Sequence, residues 1–71
     1  MVLAEFIKDV RNQLKMSQQQ LAKALNVSFS TINRWENGKT EPSNLAQKTF
    51  FEFCEGNLIV VPAELRSNNL K

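Results

Sequence analysis

Five side chains within one short stretch, Ser28, Phe29, Ser30, Asn33 and Arg34, have the chemistry of base-pair edges. Arg34 carries a forked donor that matches guanine O6 and N7, a pairing worth roughly 1–3 kcal/mol of discrimination. Asn33 offers a donor and an acceptor, which suits adenine or a phosphate. Ser28 and Ser30 donate or accept and discriminate weakly. Phe29 is an apolar surface that can pack on a thymine methyl. On a helix beginning near Ser28, Phe29, Ser30, Asn33 and Arg34 share one side, while Ile32 and Trp35 point the other way, into a core. That division of faces suits a helix laid in the major groove. Each residue also has a plainer reading: Arg34 as a phosphate clamp, and Phe29 as core if the helix is rotated slightly.

The chain lacks the parts of other chemistries. It has no histidine, one cysteine and no Gly-rich phosphate loop. Cys54 therefore has no base partner and no disulfide mate, and no cluster could hold a structural metal. No enzyme activity, cofactor or metal is expected within these residues. The net charge of +2 says little, but its distribution says more. Arg11, Lys15, Lys23, Arg34 and Lys39 face Glu36 alone between positions 11 and 39, and the rest of the chain is net negative. A positive potential on one stretch is the footprint of a DNA-facing surface, although sparse solvated cations give the same count. No apolar run approaches the roughly 20 residues needed to span a bilayer. The N-terminus has charges at Glu5, Lys8 and Asp9, unlike a signal peptide. A cytoplasmic location follows by default.

The elements that must hold the five residues are legible on either side of them. Ser17-Gln-Gln-Gln20 has the form of a capping box and starts a helix. Leu21, Ala22 and Leu25 face inward. Asn26 tolerates a left-handed backbone and makes the turn, and Ser28 caps the next helix. Asn37-Gly38 ends that helix, with Gly38 in the left-handed position. Upstream, Leu3, Phe6, Ile7, Val10 and Leu14 form one stripe on a helix of about 13 residues, with Arg11 and Lys15 in its last turn. Arg11 can pair with Glu36 or touch phosphate. The pair is favoured, because a lone acid in a basic region needs a partner and guanidinium matches carboxylate in a bidentate way.

Downstream, Ser43 caps a fourth helix whose inner stripe is expected to be Leu45, Ala46, Thr49, Phe50 and Phe53, with Phe51 and Cys54 widening the apolar face. Gly56-Asn57 should end it. Leu58 to Val61 is β-prone, Pro62 opens a last helical turn, and Ser67 to Lys71 should fray. The expected fold is all-α: a compact bundle of four to five short helices in a single domain spanning 1–71, with its helix-turn-helix core at about 17–38 and a C-terminal tail at 57–71.

Gln18, Ala22, Asn26, Ile32 and Trp35, followed by Arg34 to Ser43 (RWENGKTEPS), resemble the helix-turn-helix domains of phage repressors and Cro proteins, the XRE family. The resemblance implies a lambda-repressor-like bundle and a transcriptional regulator that binds double-stranded DNA. Carried over by position, it implies phosphate contacts at Gln18, Asn37, Lys39 and Thr40, and a buried ion pair between Glu36 and Arg11. Exposed amides and a cation in the turn after the third helix fit that role, as do free N–H groups at a helix start. The bland role of Asn37 and Gly38 is to stop a helix. The chain departs from the family at Phe29, where a polar residue is usual, at Asn26 in place of the frequent Gly, and in a short or missing fifth helix. The last departure puts the mode of dimerisation in doubt, so a homodimer is an open expectation. Two alternatives are an antitoxin, whose apolar C-terminal segment would bind a toxin, and the DNA-targeting domain of a larger enzyme such as a DNA methyltransferase.

Overall fold

Helix boundaries here follow from a device used four times. In the computed structural model, which describes residues 2–66, helix α1 (Leu3–Gln13) closes on Lys15, α2 (Gln18–Leu25) on Asn26, α3 (Phe29–Glu36) on Gly38 and α4 (Asn44–Gly56) on Leu58. Each of those four residues has a positive φ, between 55° and 73°. At each end two amides turn back onto the last carbonyls. Examples are Met16 N–H to Arg11 O at 2.9 Å, Val27 N–H to Ala22 O at 2.9 Å and Lys39 N–H to Arg34 O at 3.0 Å. This is the Schellman ending, which satisfies carbonyls that would otherwise be orphaned. A short α5 (Ala63–Arg66) follows, with Leu65 N–H donating to Pro62 O.

The helix starts are capped where the sequence says they should be. Ser17 Oγ accepts from Gln20 N–H, and Gln20 Oε1 accepts from Ser17 N–H, which completes the capping box. Ser28 and Ser43 cap α3 and α4 through Thr31 and Ala46 N–H. One core sits between the helices. Phe6, Ile7 and Val10 from α1 meet Leu21, Ala22 and Leu25 from α2, Ile32 and Trp35 from α3, and Phe50, Phe51 and Cys54 from α4. The Phe6 and Phe50 rings meet edge to face at 5.9 Å between centroids. Trp35 is buried, so its indole is packing material.

Three expectations need correction. First, α1 is shorter than expected and ends at Gln13, so Lys15 lies in the turn rather than in the last helical turn. Second, the inner face of α4 is Phe50, Phe51 and Cys54, and Leu45 (74% exposed) and Thr49 face outward. At 3.6 residues per turn Leu45 lies about 140° round from Phe50, so the two cannot share a stripe. The end of α4 falls at Gly56-Asn57 as expected, with Gly56 the last helical residue and Asn57 its cap, and the left-handed position follows at Leu58. Third, Leu58 to Val61 is not a strand. Among the described residues it has no strand to pair with, but its alternation persists, Ile59 and Val61 turned toward the core and Leu58 and Val60 outward. The tail from Ser67 onward, expected to fray, lies outside the described residues.

Candidate nucleic-acid interface

Three residues, Asn26 to Ser28, join α2 to α3. Asn26 supplies the left-handed bend at φ 60°, Val27 packs partly under it, and Ser28 starts the second helix. Ser28 Oγ also shares hydrogen bonds with Thr31 Oγ1 at 2.8 Å and Ser30 Oγ at 3.1 Å, which steadies the first turn of α3. Ile32 and Trp35 pin the inner face of α3. The outer face therefore carries Phe29, Ser30 and Arg34, all exposed, as their spacing predicts, with the capping Ser28 also exposed at its start. Phe29 is 51% exposed, which excludes the core reading. Its ring borders a shallow depression of about 380 Å³ lined by Gln19, Ala22, Lys23, Asn26 and Val27.

The expected Arg11–Glu36 pair is present and bidentate. Arg11 Nε donates to Glu36 Oε2 at 2.7 Å, and Nη2 donates to Oε1 at 3.0 Å. Nη1 reaches Met16 O at 3.0 Å, so the guanidinium also ties down the turn after α1. Among the described residues Glu36 is the one buried charged side chain, and it lies at the end of α3. Burial alone would raise the pKa of its carboxyl. The hydrogen bonds from Arg11 and Gln18 outweigh that penalty and hold the carboxyl below its ordinary range.

Sequence reasoning missed what Glu36 does next. Gln18 Nε2 donates to Glu36 Oε1 at 3.1 Å. Asn33 Nδ2 donates to Gln18 Oε1 at 3.2 Å, and Asn37 Nδ2 donates to Asn33 Oδ1 at 3.0 Å. Gln18 and Asn33 are thus partly buried members of an internal network that links three helices. The Asn33–Asn37 step is visible in the sequence as an i, i+4 pair. The Gln18 step depends on how α2 crosses α3, which no local pattern encodes. A second correction concerns the turn after α3. The Gly38 and Lys39 amides donate to Trp35 O and Arg34 O, so they are not free for an anion. An anion there would meet the Lys39 ammonium, the Asn37 side chain and Thr40, all exposed.

A helix-turn-helix family model matches residues 7–45, more than half of the chain. The chain belongs to the helix-turn-helix family. The match covers α1 from Ile7 onward, the helix-turn-helix unit α2–α3, and the cap and first two residues of α4. Similar proteins include the Type II methyltransferase M1.ScrFI of Lactococcus lactis subsp. cremoris, 44% identical over 69% of this chain and 13% of its own length. Type II methyltransferase M.SsoII of Shigella sonnei is 39% identical over 72% of this chain and 14% of its own length. The HTH-type transcriptional regulator DicA of Escherichia coli K12 is 40% identical over 61% of this chain and 32% of its own length. The helix-turn-helix chain therefore matches a third or less of each of these relatives. No solved structure matches it significantly. No helix among the described residues is long and apolar enough to cross a membrane.

Proposed function

We propose that this chain binds double-stranded DNA sequence-specifically, with α3 in the major groove, and acts as a repressor-like transcriptional regulator. The observation that carries this reading is the exposed row Ser28, Phe29, Ser30 and Arg34, borne on a helix whose opposite face is locked into the core. Reading a base edge needs side chains held in a fixed register, and the caps and buried pair around α3 hold them so. Arg34 reads guanine, Phe29 packs on a thymine methyl, and the serines add weaker polar contacts. Lys39, Asn37 and Thr40 contact phosphates beyond the end of α3. At the start of α2 the anion contact falls to the main-chain N–H groups, since the Gln18 side chain is engaged with Glu36 and Asn33. Phosphate contacts supply most of the affinity and its salt dependence; α3 supplies the choice of sequence. Two copies would read a near-palindrome with half-sites about one helical turn apart.

Binding titrations of two variants test the division of roles. Arg34→Ala is expected to cost about 1–3 kcal/mol at one base pair and to relax preference there. Lys39→Ala should weaken every duplex alike and reduce the salt slope by about 1. Identical behaviour of the two variants would contradict the assignment.

A second reading is favoured by two relatives, both Type II methyltransferases matched over a small part of their length. In it, the same domain brings a longer enzyme to DNA. The two readings share the DNA contact. They part on whether the gene continues beyond Lys71 into a methyltransferase reading frame.

A further inference from the structure

The hydrogen bonds that leave Glu36 have a fixed direction. A carboxylate can only accept. Both Glu36 oxygens take N–H groups of Arg11, and Oε1 takes Gln18 Nε2 as well. Gln18 must therefore turn its amide nitrogen to Glu36 and its carbonyl to Asn33. Asn33 answers with Nδ2, which leaves Oδ1 to accept from Asn37 Nδ2. One buried charge thus orients three side-chain amides: at the first residue of α2, within α3, and at the cap that ends α3.

We infer that Asn33 is a positioning residue, which passes the orientation set by Glu36 on to Asn37 and so keeps the reading face of α3 and the contact at its end in one register. This rests on the DNA-binding reading above and narrows it, because it removes Asn33 from the base-reading set. Bidentate recognition of adenine uses the donor and the acceptor of one amide together. Here both ends of the Asn33 amide hold protein partners, and swinging it onto a base opens its bonds to Gln18 and Asn37 at once. The Arg34 side chain, one residue on, is exposed and has no such ties. Asn37, in turn, keeps its Oδ1 and one N–H for a ligand, with the plane of its amide already set.

The test has two arms, both on the full chain. In the first, the side-chain amide signals of the DNA-free protein are followed by NMR. Gln18→Ala should collapse the Asn37 side-chain NH₂ signals toward those of a solvated amide, although Gln18 does not touch Asn37. Unchanged Asn37 signals would overturn the relay. In the second arm, Asn33→Ala is expected to weaken a selected duplex and an unrelated duplex by the same factor, about three- to tenfold, with preference intact at every base pair. The Gln18→Ala, Asn33→Ala double variant should bind no worse than the weaker single variant. Loss of preference at one base pair, with the unrelated duplex unaffected, would make Asn33 a reader and overturn the proposal. If the wild type itself prefers no sequence, the DNA reading fails, and the first arm still decides the relay.

Discussion

The α2–α3 half of the molecule and the α4–α5 half are built from the same parts with different care. Helices α2, α3 and α4 each open on a capping serine and close on a left-handed residue. At α2 and α3 those residues are Asn26 and Gly38, types that take this conformation readily. At α4 it is Leu58, whose Cβ makes the conformation costly and whose side chain is left 93% exposed. Polar contacts differ in the same sense. The first half is tied to α1 through a buried carboxylate with three donors, whereas the Arg66–Glu55 pair that joins α5 to α4 is open to water. Directional, desolvated bonds fix a register; aromatic packing fixes a volume and tolerates slack. The half that would present side chains to DNA is the half with the fixed register.

The comparison breaks most sharply at Glu36. Glu36→Ala leaves the Arg11 guanidinium without its partner and should cost about 2–4 kcal/mol in urea unfolding, the lower end applying because Arg11 keeps some contact with solvent. Acid should do the same more gently. The carboxyl of Glu36 lies below its unfolded value of about 4.3, so its contribution is complete above that pH and is lost as pH falls through the folded value. Stability measured from pH 6 down to pH 2 should show this loss in the wild type, and a smaller loss in Glu36→Gln.

Next in size is the backbone conflict at Leu58. Leu58→Gly should stabilise the chain by about 1 kcal/mol, since Gly adopts the left-handed position without the Cβ penalty. Asn26→Gly should change stability by a few tenths at most. Equal gains at both sites would erase the difference between the halves. The smallest effect is expected from Arg66→Ala, below about 1 kcal/mol, because an exposed ion pair and a cation over the Phe51 ring at 5.7 Å are both weak in water.

The same contrast decides how much could be read in advance. The α2–α3 unit was legible because its signals are local: Ser17 with Gln20, Asn26, Ser28 and Gly38 each act within a few residues of themselves. The Arg11–Glu36 pair is long-range, yet it showed through, because one acid stood alone among cations. The face of α4 did not. Leu45, Phe50, Phe51, Phe53 and Cys54 satisfy more than one apolar stripe, and the choice rests on how α4 meets Phe6 and the rest of the core. The end of α4 at Gly56-Asn57 was legible; its left-handed closure at Leu58, where Ile59 N–H donates to Cys54 O at 2.9 Å, carries no Gly or Asn to mark it. The roles of Gln18 and Asn33 depend on a helix crossing, which spacing alone does not contain.

The central claim is that the exposed face of α3 chooses a DNA sequence. Selection from a pool of random duplexes at a fixed, stated salt concentration tests it directly. The account predicts one enriched motif for the wild type, as a single site or as a near-palindrome, which loses definition at one base pair in Arg34→Ala and keeps its definition in Lys39→Ala. A pool that emerges without an enriched motif, while binding remains salt-dependent, would contradict it.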